Sequence, residues 1–224
     1  MIAFRLAIRG WLTATMLVAT VAFGNQFPTS VQGQESSVSF GNYSPKEPTT
    51  LEELPIEIRS KLNAYLIDRL GKNYLARLQF VGGQVVDFEE LYRINPGAKE
   101  YKWKIFAYRL GYRISVPEKG IASYIGYVEL DREGNVQREI EFPAVRRFPP
   151  KGDFVTLGTA RERAIRAGMS PERAEMLYSP QDGSLVFRLT QTTSRSSGGG
   201  IIRYIDIDAH TGALLRDFKG PVFY

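Results

Sequence analysis

The feature that most constrains the fold is a short alternating segment that occurs twice, each time followed by an Asp, a few polar residues and a Gly. The first copy, YVELDREGN, covers residues 127–135, and the second, YIDIDAHTG, covers residues 204–212. Alternation of apolar and acidic residues is typical of a β-strand with one buried face. An Asp that opens a turn and a Gly that permits positive φ favour a hairpin. We therefore expect two related β-hairpins.

The alternation also predicts which side of each strand is buried. We expect one face to lie in the core and the other to face water. The core face consists of Val128, Leu130, Ile205 and Ile207. The solvated face consists of Glu129, Asp131, Asp206 and Asp208, of which Asp131 and Asp208 bind backbone N–H groups of their turns. Upstream, residues 112–114 (Tyr-Arg-Ile) match residues 187–189 (Phe-Arg-Leu).

A helical period precedes each group of strands. The first helix is predicted from Pro55, with Gly71 as a left-handed cap and an apolar face of Ile58, Leu62, Tyr65, Leu66 and Leu70. The second is capped by Thr159 with Glu162, ends at Gly168, and has a stripe of Leu157, Ala160, Ala164 and Ile165. Strands are predicted at 74–80, 84–92, 102–115, 122–131, 136–142, 185–191, 201–208 and 213–219, with a turn over 170–180 and Leu214 in the second core. A helix followed by a β-meander, twice, is an α+β fold.

The chain divides into five segments by composition. Residues 1–24 combine Arg5 and Arg9 with an apolar run and small residues at a cleavage site, which predicts a signal peptide. Residues 25–49 are rich in Ser, Gln, Gly and Pro and predict a disordered leader. The two α+β units are assigned to residues 50–143 and 156–224, and the Pro-rich segment 144–155 between them is the predicted linker.

Composition excludes several classes of protein. The formal charge of +5 falls to +3 once residues 1–24 are removed, too little for a dedicated nucleic-acid binder. The chain has no Cys, so it has neither a lipid-anchoring Cys nor a disulfide scaffold, and one His leaves no soft-ligand metal site. With the signal peptide, this predicts a periplasmic or secreted protein with no stable membrane span after cleavage.

The residues that resemble catalytic groups have simpler structural explanations. Glu129 with Asp131 and Asp206 with Asp208 are pairs of acids on one strand face, an arrangement that general acid/base catalysis can use. We expect these acids to lie on the solvent-exposed face of a meander instead. His210 is expected to be a solvated turn residue, and no nucleophile elbow accompanies it. A hard-cation site at Asp206, Asp208 and Thr211 lacks the usual density of carboxylates. The SRSSGGG segment has no helix or Lys to complete a phosphate loop. We therefore assign no catalytic, cofactor or metal residue.

The second unit resembles the PepSY domain, through its short Ala-rich helix, the segment GMSPERAE and the closing IDIDAHTGALL. The first unit, from LPIEIRSKLNAYL to VELDREGNV, is similar to PepSY-like proteins grouped with β-lactamase inhibitors. The resemblance covers residues 50–220. It implies two cystatin-like units outside the cytoplasm, with a regulatory, inhibitory or chaperone role toward a peptidase or other hydrolase, and it supplies no catalytic residue.

These observations lead to three functional hypotheses. The first is a non-catalytic protein that binds a protein or peptide partner through protruding loops or an edge strand. Its predicted contact residues are Ser194, Arg195, Ser196, Pro117, Glu118 and Lys119. The second is a carrier of a small ligand, which requires a pocket between helix and sheet. The third is a hydrolase with an acid dyad, which requires two carboxylates that converge in a cleft.

Overall fold

The structure is a computed structural model that describes residues 42–196 and 198–223 of the 224. The predicted signal peptide and residues 25–41 of the predicted leader lie outside the described residues. At the other end of that leader, Tyr43 is buried and the backbone of Lys46 pairs with that of Val85. Within the described part, no helix combines the length and hydropathy that crossing a membrane requires.

The described residues form two four-stranded antiparallel sheets and four α-helices, which confirms the predicted α+β class. Consecutive strands are neighbours in each sheet, so both sheets are meanders: the first contains the first four strands along the chain and the second contains the last four. The strands are β1 Gln79–Val85, β2 Tyr108–Val116, β3 Ile121–Leu130, β4 Val136–Arg138, β5 Arg173–Ser179, β6 Ser184–Ser196, β7 Gly199–Asp208 and β8 Leu214–Phe223. The helices are α1 Ile56–Leu70, α2 Lys72–Leu75, α3 Phe88–Ile94 and α4 Leu157–Arg166.

Helix α1 follows the predicted amphipathic pattern. Its buried face consists of Ile58, Leu62, Leu66 and Leu70, which recur every four residues. The chain has the predicted positive φ at Gly71, 76°, but the ψ of 156° lies outside the left-handed helical region. The reason is that α2 begins at the next residue, so the first strand starts at residue 79 and not at the predicted residue 74.

Residues 84–104 contain the clearest error of the sequence prediction. Strands were expected over 84–92 and from 102, but the chain forms α3 and a 3₁₀ segment, Pro96–Lys104. Asp87 is the physical reason, because its Oδ1 accepts the backbone N–H groups of Glu89 and Glu90 at 3.1 and 3.2 Å. An Asp followed by two Glu is a helix-start signal, and it outweighs the β propensity of the flanking residues.

Helix α4 is capped three residues earlier than predicted. The hydroxyl of Thr156, not that of Thr159, is the cap, and it accepts the backbone N–H of Thr159 at 3.0 Å. Ala160 and Ala164 are buried as expected, but Ile165 is 59% exposed because it lies on the far side of the helix. Two further expectations are wrong: residues 173–179 form strand β5 instead of a turn, and Leu214 is 45% exposed beside an irregularity in the β7–β8 ladder.

The two sheets repeat each other in register. Neighbouring strands of the first sheet align Arg109, Glu129 and Arg138, and those of the second align Arg188, Asp206 and Arg216. In both sheets the ladder has an irregularity directly after the acidic residue. The structural match of residues 187–189 is therefore residues 108–110, four residues before the match at 112–114 that the sequence suggested.

A single cluster of buried apolar side chains includes residues from both sheets and from α1 and α4. Val128, Leu130, Ile205 and Ile207 belong to it and are fully buried, as the alternation predicted. We call the sheet face that bears these side chains the inner face, and the opposite one the outer face. Residues 144–155, the connecting segment, contact both halves: Arg146 pairs with Asp68, the Gly152 carbonyl accepts from Arg77, and Lys151 donates to the carbonyls of Asp182 and Gly183.

Candidate binding surfaces

The outer face of the second sheet contains a fully buried carboxylate held by two arginines. Asp206 accepts from Arg188 at both oxygens, with Nε to Oδ1 at 2.8 Å and Nη2 to Oδ2 at 2.9 Å. Arg216 Nε donates to Oδ2 at 3.0 Å. The hydrogen bonds to Asp206 raise the pKa of the Arg188 guanidinium. Such charge-assisted, bidentate pairs are the strongest hydrogen bonds that side chains form.

The prediction that Asp206 faces water is wrong. The alternation correctly assigns its side chain to the outer face, but other residues cover that face at this point. The turn between β5 and β6 reaches it, because Arg216 also donates to Ser179 Oγ at 2.8 Å and to Asp182 Oδ2 at 2.9 Å. The carboxylate is thus enclosed by its partners, and the buried charge is compensated.

Asp208 fulfils the predicted turn role but is also buried. Its Oδ1 accepts the backbone N–H groups of His210 and Thr211, each at 2.8 Å, and its Oδ2 accepts the Ser184 hydroxyl at 2.9 Å. Burial alone would raise the pKa of the Asp208 carboxyl, but the three donors together lower it. Asp131 has the corresponding role in the first hairpin, where its Oδ1 accepts Asn135 N–H at 2.7 Å.

His210 is buried and not, as predicted, a solvated turn residue. Its ring packs against Phe154, with ring centres 4.8 Å apart, and Nδ1 lies 2.7 Å from the carbonyl oxygen of Asp153. A carbonyl only accepts, so Nδ1 carries the proton and Nε2 is left buried without a hydrogen-bond partner among the described residues. Burial lowers the pKa of His210, which keeps the ring neutral.

These contacts decide what chemistry the acids and His210 can perform. Both oxygens of Asp206 are occupied by arginines, so Asp206 and Asp208 do not form a pair of converging carboxylates. The His210 ring bonds a backbone carbonyl, whereas Ser184 bonds Asp208 directly, so the three residues lack the geometry of a catalytic triad. Among the described residues no group of three His, Asp or Glu side chains could hold a metal ion.

The equivalent cluster of the first sheet is open. Arg109 Nε lies 3.7 Å and Arg138 Nη1 3.8 Å from Glu129 Oε1, distances too long for hydrogen bonds. Arg138 instead donates to Glu141 at 3.0 Å. Glu129, expected to face water, is 9% exposed, and its Oε1 and Arg109 Nε are buried without a partner among the described residues. The Arg109 guanidinium lies 4.5 Å from the centre of the Tyr127 ring.

A surface groove of about 210 Å³ borders this open cluster. Gly111 makes room for it, because an added Cβ there would lie 3.0 Å from the Tyr127 ring. The groove, which we call the Arg109 groove, is lined by Glu47, Val81, Gly82, Gly83, Gln84, Arg109 and Tyr127.

The ends of β6, β7 and β8 extend beyond helix α4 and form what we call the β6–β8 projection: residues 192–196, 199–202 and 218–223. Arg203 marks its base, because it donates to the carbonyls of Ala167 and Gly168 at the end of α4. Large apolar side chains are exposed on the projection: Phe223 at 82%, Ile201 at 43% and Phe218 at 40%. A shallow groove of about 650 Å³ lies at its base.

The glycines of the projection have a packing role. An added Cβ at Gly199 would lie 2.3 Å from the Val222 carbonyl oxygen, and one at Gly200 would lie 2.6 Å from that of Ser194. Most of the SRSSGGG segment is strand, since Ser194 and Arg195 pair with Ile201 and Gly200. The glycine run therefore allows close approach of three strands.

The structure does not bring the predicted contact residues together. Ser194 and Arg195 are exposed on the projection, and the backbone of Ser196 ends β6 there. Pro117, Glu118 and Lys119 form a 3₁₀ turn between β2 and β3, followed by Gly120, whose added Cβ would lie 2.7 Å from Leu157 at the start of α4. The two predicted contact segments thus lie near opposite ends of α4.

Sequence reasoning missed two features: the arginines that flank Glu129 and Asp206 on neighbouring strands, and the exposed apolar residues of the projection. The arginines could have been found, because an Arg occurs at matching positions in β2 and β6 and in β4 and β8. The carrier hypothesis required a cavity between helix and sheet, but Leu62 and Leu66 are buried in the same cluster as Leu110 and Ile114, and the two grooves described here lie at the surface.

Comparisons with protein-family models, with curated proteins and with solved structures find no match for this chain.

Proposed function

We propose that this chain is an exported, non-catalytic protein with two PepSY-type, cystatin-like units that binds a protein partner outside the cytoplasm and thereby regulates it. The partner class that the resemblance favours is a peptidase or other hydrolase, which the chain would inhibit or chaperone. One observation carries the proposal: the β6–β8 projection exposes Ile201 and Phe223, which share one face of the sheet, and Phe218 on the opposite face.

Apolar side chains grouped on one protruding element are typical of protein-binding sites. Single exposed apolar residues are common on protein surfaces. A cluster of them that includes an aromatic residue and is bordered by polar residues is typical of a protein–protein interface. On the opposite, outer face of the sheet, Tyr204 and Phe218 stack with ring centres 5.0 Å apart, and the Arg188 guanidinium lies 5.5 Å from the Phe218 ring. Aromatic residues and Arg are the residue types most enriched at energetically important contacts.

Strand β8 also supports a protein or peptide partner. It pairs with β7 along one side and is the edge of the second sheet, so its other side has backbone groups available for an added strand. Lys219 and Pro221 lie on this edge, and a charged residue and a Pro both hinder uncontrolled pairing of edges. The edge is therefore suited to a selected partner more than to self-association.

A photo-crosslinking residue at Ile201, compared with the same residue at Ile165, tests the proposal. Both isoleucines are exposed, at 43% and 59%, but Ile165 lies on the solvent side of α4 and is not part of the projection. We expect position 201 to yield one discrete adduct in the native extracytoplasmic fraction and position 165 to yield none. Identical adduct patterns at the two positions would contradict the assignment of the surface.

Once the adduct is identified, its activity can be measured with the purified chain. Replacing Phe223 by Ser should weaken binding by about tenfold or more, because a central aromatic contact contributes at least that much. Ile165→Ser is the matched control and should bind as the parent does. A hydrolase whose activity and folding yield do not change on binding would refute the regulatory role.

A further inference from the structure

Arg109 is a largely buried guanidinium whose donors are unused. Its side chain is 16% exposed, and it donates no hydrogen bond to any residue the structure describes. A guanidinium has five N–H donors, and buried polar groups almost always have partners. An acceptor that enters the Arg109 groove, which this side chain lines, can reach these donors.

The second sheet shows what chemistry satisfies this position. Arg188 is the register equivalent of Arg109, and Asp206 of Glu129. Arg188 holds a carboxylate through Nε and Nη2 and lies above an aromatic ring, Tyr204 at 5.7 Å. Arg109 lies above the equivalent ring, Tyr127, at 4.5 Å, but has no carboxylate within hydrogen-bond distance. The two positions differ in how the acid of the neighbouring strand is placed: Asp206 accepts hydrogen bonds from Arg188, whereas Glu129 Oε1 stays 3.7 Å from Arg109 Nε.

We propose that the Arg109 groove binds a single carboxylate group, presented as an acidic side chain by a peptide or protein. The planar Arg109 guanidinium pairs with it through two parallel hydrogen bonds, as Arg188 does with Asp206. The volume of about 210 Å³ suits one side chain and is below the range of pockets for drug-sized ligands.

The surrounding charges favour one carboxylate over a polyanion. Glu129 is an ion-pair partner of both Arg109 and Arg138 without a hydrogen bond to either, so it orients Arg109 but leaves the donors free. Glu47 also lines the groove and is exposed, so its repulsion grows with each further negative charge that a ligand brings close. The neighbouring glycines leave the approach to Arg109 unobstructed.

This site is separate from the β6–β8 projection. It lies on the first sheet, and its test uses a small probe without any protein partner, so its failure and that of the proposed function are distinguishable. The probe is N-acetyl-glutamate amide, and N-acetyl-glutamine amide is its neutral isostere. Inorganic phosphate is a third probe, which tests whether the site instead accepts any oxyanion.

The experiment is an NMR titration of the ¹⁵N-labelled protein, purified after natural processing, that follows the Arg109 Nε–H resonance and the amides of Gly82, Gly83 and Gly111. We expect saturable shifts with the glutamate probe and binding about tenfold weaker with the glutamine probe. Arg109→Gln should remove the difference between the two probes. Arg113→Gln, on the same strand and face but outside the groove lining, should preserve it.

A second variant keeps the test valid if Arg109→Gln fails to fold. Gly111→Ala retains Arg109 but places a Cβ 3.0 Å from the Tyr127 ring and 3.2 Å from Val81, so it narrows the groove and should weaken the glutamate probe several-fold. Three results would overturn the proposal: equal shifts with both amides, unchanged glutamate binding in Arg109→Gln or Gly111→Ala, or binding of phosphate without binding of the glutamate probe.

Discussion

Replacing Asp206 by Asn should destabilise the protein far more than replacing Glu129 by Gln, although the two acids occupy equivalent positions. Asp206 is fully buried and accepts three charge-assisted hydrogen bonds, from Arg188 and Arg216, whose side chains are 25% and 32% exposed. Removing one partner of a buried ion pair costs about 3–5 kcal/mol. Because both guanidinia keep some contact with solvent, we expect about 3 kcal/mol, the lower end of that range.

The Glu129→Gln change is the matched control. Glu129 makes no hydrogen bond with Arg109 or Arg138, and its ion-pair distances are 3.7 and 3.8 Å, so the loss should stay below about 1 kcal/mol. Urea unfolding followed by circular dichroism measures the free energy of unfolding of both variants. A decrease of about 3 kcal/mol in this free energy corresponds to a fall in Tm of about 6–12 °C. Equal losses for the two variants, or a loss below about 1 kcal/mol for Asp206→Asn, would refute the argument.

A double-mutant cycle checks that the arginines are the cause. Arg216→Gln alone should be destabilising, because it removes bonds to Asp206, Ser179 and Asp182. In the Asp206→Asn background the same change should cost less, since one of its partners is already neutral. Strict additivity would mean that the two residues are not coupled.

Three further predictions concern the core, pH and processing. Leu66→Ala should lower the free energy of unfolding by about 2–5 kcal/mol, because Leu66 is 2% exposed beneath the first sheet. Ile165→Ala, at an exposed position, should lower it little. A loss below about 1 kcal/mol for Leu66→Ala in denaturant melts would refute this packing. Burial lowers the pKa of His210 in the folded state, so the unfolded chain binds the proton more readily and the free energy of unfolding should fall as pH drops below about 6.5. Melts at about pH 5 to 8 should show that this free energy depends less on pH in His210→Gln than in the parent. Equal pH dependence in the two proteins would contradict the burial argument. Mass spectrometry of the native protein should find an N-terminus near residue 25, and an intact Met1 in a cytosolic fraction would contradict export.

The sequence was sufficient where the fold depends on local periodicity. The spacing of Ile58, Leu62, Leu66 and Leu70 identified the buried face of α1, and the alternation from Tyr204 to Asp208 identified the inner face of β7. Both depend only on residues close together in the chain. The α+β class followed from these patterns and from the turns between them.

The errors arise where distant residues decide the environment. Whether Asp206 contacts water depends on Arg188 and Arg216, from two other strands, and on the turn before β6, which alternation within β7 cannot reveal. Strand β5 pairs with β6 along its whole length, and the composition of residues 173–179 alone does not reveal this partner. The helix α3 error is different, because Asp87 and the two Glu that follow it were a local signal given too little weight.

The connecting segment has a consequence for how the protein unfolds. Arg77, from the first half of the chain, donates a hydrogen bond to the Gly152 carbonyl, and His210, from the second half, donates one to the Asp153 carbonyl. Phe154 is buried in the apolar cluster that both halves share. Two units joined this way resemble a duplication whose copies have lost their independence. We therefore expect the chain to melt in a single cooperative transition. Either unit expressed alone should expose its part of the shared apolar cluster to solvent.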